Sequence, residues 1–290
     1  MSRLLAGPID LYRPGEQPGY SCYLLETSDG LALFDCGSSS TFPSLEQGLT
    51  DHGVGFADLR HVLLSHIHLD HAGAAGLVVE RNPEVAVHVS GIGAPHVVEP
   101  GRLEASARRI YGETFDHLWG TVVPVPQANV RTVGARVLDL DVFPTPGHAH
   151  HHVSYLDTEG TLYCGDVAGV RLPGGTFVLP PTPPPDVDVE AWERSTATSL
   201  ARDPSRLALV HLDVFDDISS HYERLHETLG RWSRLVEEGM SRDEFTALIR
   251  AEIAEVEASS GLAPWYETAV TLDSCHAGLE RYWRTKRETA

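Results

Sequence analysis

Stacked β-sheets flanked by helices, an α/β arrangement closed by a helical C-terminal extension, is the fold class that three observations on this chain predict. Short apolar runs rich in Val, Leu, Ile and Phe interleave with amphipathic helical stretches up to His211. Pro-Gly, Ser-Asp-Gly and similar turn signals separate them. After His211 only helical periodicity remains. Sheets and helices each bury one face, so interleaved elements of both kinds stack into layers.

The first strands are expected at Ile9–Tyr12, Tyr20–Glu26 and Leu31–Phe34, with a Pro-Gly turn before the second and Ser28-Asp-Gly30 before the third. A helix follows from Pro43 to His52, ended by Gly53. Val62–Leu64 reads as a buried strand, Ala72–Arg81 as a helix stopped by Pro83, and Val85–Val89 as a strand. Residues 101–120 form a helical, aromatic-bearing insertion that either covers a site or is a plain surface helix. β character returns at Val137–Phe143, Val153–Asp157 and Thr161–Cys164. Proline-rich Leu179–Pro185 is a stiff extended linker, since proline lacks the N–H a ladder needs. Asp188 caps a helix to Ala201, and Leu207–Val210 is the last strand. In the tail, Ser220-x-x-Glu223 and Ser241-x-x-Glu244 read as capping boxes. Leu225, Leu229, Trp232 and Leu235 make one core stripe; Phe245, Leu248, Ile249, Ile253 and Val256 make another.

A chain of 290 residues can bury a large core. No apolar run approaches the ~20 residues of a membrane span, and Met1–Pro8 has no secretory hydrophobic region. Cys22, Cys36, Cys164 and Cys275, with no CxxC among them, read as buried thiols in a reducing, cytoplasmic setting. The net charge of −19 disfavours nucleic acid as a partner. The single lysine, Lys286, falls in a tail expected to fray, which removes Schiff-base and P-loop chemistry. A small-molecule substrate is the expected partner, with no membrane and no nucleic acid; the oligomeric state stays open, a homodimer included.

Four metal-capable side chains, His66, His68, Asp70 and His71, stand within six positions just after the Val62–Leu64 strand. An isolated histidine is usually solvated or hydrogen-bonded, but packing has no use for the order H-x-H-x-D-H. His148, Asp166 and His211 each follow another short apolar run. Imidazole and carboxylate donors suit zinc first, with iron or manganese as alternatives. Seven donors are too many for one tetrahedral ion and divide naturally between two divalent ions sharing a carboxylate. Such ions, about 3.5–4 Å apart, hold a hydroxide between them and clamp the attacking and leaving oxygens.

These residues resemble the metallo-β-lactamase superfamily. Its H-x-H-x-D-H loop matches His66, His68, Asp70 and His71; its T-P-G-H turn matches Thr145–His148. Its bridging aspartate matches Asp166 in Cys164-Gly-Asp166, its last histidine His211, and its early D-x-G turn Asp35-Cys-Gly37. The resemblance implies a four-layer αββα sandwich of two mixed β-sheets flanked by helices over residues 1–215, with 216–290 as a helical extension packed on the same domain. It implies His66, His68 and His148 on one ion, Asp70, His71 and His211 on the other, and Asp166 bridging. Asp70 is then the candidate for orienting the nucleophile and passing a proton to the leaving group. Asp35 either hydrogen-bonds a ligand imidazole or simply forms a turn, and His150, His151 and His152 are structural or support the ligands. The implied activity is hydrolysis of a small ester, thioester or lactone by a metal-bridging hydroxide, as in lactonases and glyoxalase II-like thioesterases. The alternative is a mononuclear iron sulfur dioxygenase of the persulfide dioxygenase kind. Arg171, Tyr111, Trp119 and the Pro180–Pro185 loop are the expected pocket walls.

Overall fold

Two six-stranded mixed sheets occupy the centre of the computed structural model, which describes residues 1–12, 19–268 and 270–289. The first sheet runs in chain order through β1 (Arg3–Leu11), β2 (Tyr20–Thr27), β3 (Gly30–Phe34), β4 (Leu59–Leu63), β5 (Ala86–Val89) and β6 (Val130–Thr132). Its β1–β2–β3 part is antiparallel, and β3 to β6 are parallel. The second sheet holds β7 (Arg136–Val137), β8 (Leu140–Pro144), β9 (Val153–Leu156), β10 (Thr161–Tyr163), β11 (Arg206–Ala208) and β12 (Val214–Phe215). Only its β10–β11 pair is parallel.

The helices are α1 (Phe42–Asp51), α2 (Leu69–Ala72), α3 (Ala75–Arg81), α4 (Ala94–Val98), α5 (Gly101–Tyr111), α6 (Phe115–Trp119), α7 (Val189–Leu200), α8 (Ile218–Glu237), α9 (Arg242–Val256) and α10 (Leu272–Thr289). Aromatic rings close the gap between the sheets: Phe34 of β3 meets Tyr155 of β9 at 5.8 Å and Tyr163 of β10 at 5.3 Å. Leu45 of α1 and Val78 of α3 join the core of the first sheet. On the far side, Leu162 and Leu207 pack with Trp192 of α7, Leu225 and Trp232 of α8, and Phe245 of α9. The result is a four-layer αββα sandwich. Covering both faces of β2 and β3 explains their apolar runs, Cys22–Leu25 and Leu31–Phe34, which half-exposed strands would break with alternating polar residues.

Several sequence expectations are corrected. The Ala72–Arg81 helix is two pieces, α2 and α3, parted at Gly73 and Ala74, where Ala74 with φ of −90° and ψ of 0° departs from regular helical geometry. Val137–Phe143 is a hairpin, β7 and β8, turned at Leu138 with φ of +55°. The tail is not wholly helical, since β12 adds to the edge of β11. Three-residue β6 and five-residue α4 are too short to carry a period. Ser220 is no capping residue: it lies within the first turn of α8, after the N-cap Asp217. Ser241 does form its box with Glu244. Leu248 and Val256 are 43% and 44% exposed, because only the Phe245, Ile249 and Ile253 side of α9 meets the core. Lys286 does not fray; it sits in α10, ion-paired with Glu190 of α7. The Pro-Gly turn before β2 lies outside the described residues. The four cysteines are buried free thiols. Among the described residues no helix is long and apolar enough to cross a membrane.

Candidate metal centre

The donor residues emerge where strands of both sheets end at one rim. Ser65, His66 and His68 leave β4, and Asp70 and His71 ride on the short α2. His148 occupies the β8–β9 turn, Asp166 the turn after β10, and His211 the segment after β11. Two glycines permit this convergence. Gly147, at φ of +139°, lets the His148 turn approach α7, where a Cβ would stand 2.3 Å from Trp192 Cα. Gly165, at φ of +48°, sits against His152 and Ser65 beside Asp166.

All seven residues singled out by the motif gather there, in two adjoining sets. In the first, His68 Nδ1 lies 3.0 Å from His66 Nε2 and 2.9 Å from His148 Nε2, and Asp166 Oδ2 is 3.3 Å from His148 Nε2. In the second, Asp70 Oδ2 is 3.4 Å from His211 Nε2 and 3.7 Å from His71 Nε2. Asp166 Oδ1 is 3.0 Å from His71 Nε2 and 3.4 Å from His211 Nε2. One oxygen of Asp166 thus faces each set.

Hydrogen bonds behind the rings decide which nitrogen looks inward. His148 Nδ1 donates to the Pro181 carbonyl at 2.8 Å, and His211 Nδ1 to that of Gly19 at 2.7 Å. His71 Nδ1 donates to Asp35 Oδ2 at 2.8 Å. Asp35, with φ of +51°, also accepts the Ser65 N–H and hydroxyl. With its proton committed to Asp35, the Ser65 hydroxyl can only accept from His66 Nδ1, 3.0 Å away. Each of these four rings therefore turns the Nε2 lone pair inward, the tautomer a metal ligand requires. His152 Nε2 accepts the Asp166 N–H, and Thr145 bonds its Nδ1. His151 joins the cavity wall, while His150 is exposed.

The donor set fits divalent ions on its own geometry. His71 Nε2 and Asp166 Oδ1 are both buried, both lack a hydrogen-bond partner, and face each other. Two acceptors in that position call for a cation between them. Electrostatics agrees. Burial opposes the Asp166 charge, but His71, His211 and His148 outweigh it and hold the carboxyl well below its usual range. Burial likewise lowers His71, yet Asp166, Asp70 and Asp35 reverse this and push it well upward. Burial and the neighbouring imidazoles drive His66 well down, and burial with His148 takes His68 to about 3. Burial opposes the His211 charge too, but Asp166 and Asp70 outweigh it and raise this ring, whereas burial lowers His148. The cluster thus welcomes positive charge beside its carboxylates and keeps His66, His68 and His148 neutral.

A cavity of about 250 Å³ opens over both sets. Ile67, Leu103, Ile110, Trp119, Pro183 and Val270 give it an apolar wall. The 101–120 insertion therefore does cover the site, through α5 and α6. Of the Pro180–Pro185 loop, Pro181, Pro183, Pro184 and Pro185 contribute as expected, with Tyr111 and Trp119; Pro180 and Thr182 do not, and neither does Arg171. It is buried elsewhere, paired with Asp217 and lying over the Phe215 ring. Sequence reasoning missed the Pro181 and Gly19 carbonyls, which as backbone groups leave no residue-type signal. It also missed Ser65, whose position directly before the motif was the available sign.

An αββα sandwich with two His/Asp donor sets at one rim defines a class of metal-binding, hydrolase-like proteins. The family model of the metallo-beta-lactamase superfamily matches residues 17–211, and the chain belongs to that superfamily. A metallo-beta-lactamase fold-containing protein of Sulfurisphaera tokodaii is 27% identical over 187 residues, 61% of this chain and 70% of that one. A thioesterase of Emericella nidulans is 30% identical over 160 residues, 53% of this chain but only 38% of that protein. The crystal structure of a metallo-beta-lactamase family protein from Thermus thermophilus has a TM-score of 0.68 over 99% of this chain and 94% of that one, at 20% identity, a likeness of fold.

Proposed function

We propose that the protein is a dinuclear metal-dependent hydrolase acting on the carbonyl of a small ester, thioester or lactone. The observation that carries this reading is Asp166, whose two oxygens face two separate donor sets beneath one apolar-walled cavity. His66, His68 and His148 would hold one ion, Asp70, His71 and His211 the other, with Asp166 shared. Bound ions supply an activated water near neutral pH and polarise the substrate carbonyl. The chain's residues supply the rest. Asp70 lines the cavity and is the carboxylate placed to accept the proton of the attacking water and return it to the leaving group. Asp35, Pro181 and Gly19 hold the ligand rings in the competent tautomer. The α5–α6 cover and the proline segment exclude bulk water. The thioesterase likeness supports an acyl substrate.

Metal analysis beside a panel of lactones, esters and thioesters tests the reading. It expects about two zinc or manganese ions per chain and hydrolysis that chelation abolishes and metal restores. A single iron, with oxygen consumed on a persulfide substrate, would replace it by the oxidoreductase reading.

A further inference from the structure

One helix supplies a whole side of the cavity. Arg102, Leu103, Ser106, Ala107, Ile110 and Tyr111 of α5 all line it, the positions that share one face of a helix. Their chemistry is graded along the axis. Tyr111 stands edge-on to Trp119 at 5.1 Å, shares an apolar cluster with it and with Leu69, the neighbour of Asp70, and lines the cavity together with Asp70. That end of α5 therefore lies beside the donor sets. The middle of the face is small or apolar. At the other end is Arg102, nine residues from Tyr111, or about 13 Å of helix.

Among the described residues, Arg102 is the only arginine or lysine in the cavity wall. Arg108, on the same helix, is held by Glu104 and Asp116. Arg102 has no ion pair or hydrogen bond among the described residues. Outside the two donor sets the described wall carries one acid, Asp186, whose Oδ2 is 3.8 Å from His151 Nε2. In a chain of net charge −19, the long-range field repels anions, so an anionic substrate needs a local cation to hold it. An uncommitted planar guanidinium at the end of an apolar wall meets that need, because its fork matches a carboxylate or phosphate.

We propose that Arg102 binds an anionic group at the non-reacting end of the substrate. The substrate is then an amphipathic acyl ester or thioester, with the scissile carbonyl at the donor sets, an apolar segment under α5, and a carboxylate or phosphate on Arg102. The proposal rests on the hydrolase reading above.

The metal-replete enzyme is assayed with thioesters carrying a terminal carboxylate on either the acyl or the thiol portion, each matched to a methyl-ended isostere. A phosphonate-ended set separates the two anions. The expected result is a preference for the charged member of one series. Arg102→Gln should shrink that preference by about tenfold to a hundredfold, chiefly through KM, the usual effect of losing a hydrogen bond to a charged group. Arg102→Lys should restore part of it. A charged-to-neutral preference that Arg102→Gln leaves intact in both series overturns the proposal. If no ester, thioester or lactone of the panel is turned over, the hydrolase reading fails on its own, and calorimetric binding of a non-hydrolysable ketone analogue bearing the terminal carboxylate decides about Arg102. Binding about tenfold weaker in Arg102→Gln sustains the anion site; equal binding sinks it. Melting curves of the variants exclude a folding defect.

Discussion

At the scale of single residues, the centre is organised by who donates to whom. Asp35 takes three donors, from His71 and twice from Ser65, and Ser65 in turn accepts from His66, so one buried carboxylate orients imidazoles of both donor sets. Asp35→Asn should weaken metal affinity about 10–100-fold with the fold retained, read by chelator competition. His148→Ala and Asp166→Ala each delete a donor and should lose metal and hydrolysis together, measured by metal content and turnover on the same preparation. Asp70→Asn separates the two properties: at least one ion should remain while turnover falls about 10²–10⁴-fold. Native turnover in Asp70→Asn would end its catalytic assignment.

At the scale of elements, the tail helices shape the site without touching its chemistry. Gly278 of α10 lies so close to the proline segment that an added Cβ would stand 1.9 Å from the Thr182 carbonyl oxygen. The Thr182 hydroxyl donates to the Cys275 carbonyl at 3.0 Å on the same helix. Pro181 and Pro183–Pro185 wall the cavity, and Pro181 supplies the acceptor for His148, so α10 braces that imidazole from behind. Gly278→Ala should therefore lower the melting temperature and raise KM, while Ala substitutions at exposed Leu248 should change neither. Ser241→Ala, which removes an N-cap, should cost about 1 kcal/mol in urea unfolding and leave KM alone.

At the scale of the whole molecule, histidines buried outside the centre add to the loss of stability in acid. Burial, then His61 and Arg131, takes His88 to about 4, and burial lowers His221 to about 4. An unfolded histidine titrates near 6.5. Between about pH 6.5 and 4 the unfolded chain therefore binds protons that the folded chain refuses at these two positions, so their contribution to stability is lost as pH drops through that window. Urea midpoints of the metal-free protein should show this slope, and His88→Gln should lessen it. A midpoint constant from pH 7 to 4 would refute the assignment.

Much of this was legible in the residues themselves. The donor positions could be read because H-x-H-x-D-H, Thr145–His148, Gly165-Asp166 and His211 each pair a ligand-type residue with the end of an apolar run, a local signal. The layered architecture could be read from strand and helix periods, which are also local. What only the tertiary structure decided is non-local. Whether Arg171 or Arg102 faces the cavity, which side of α9 is wet, that β12 extends a sheet edge, and that Pro181 and Gly19 fix two ligand tautomers all depend on neighbours far away in sequence. Periodicity records that a residue can be buried or can bind, whereas its partner is set by packing between elements, and one chain segment carries no record of that.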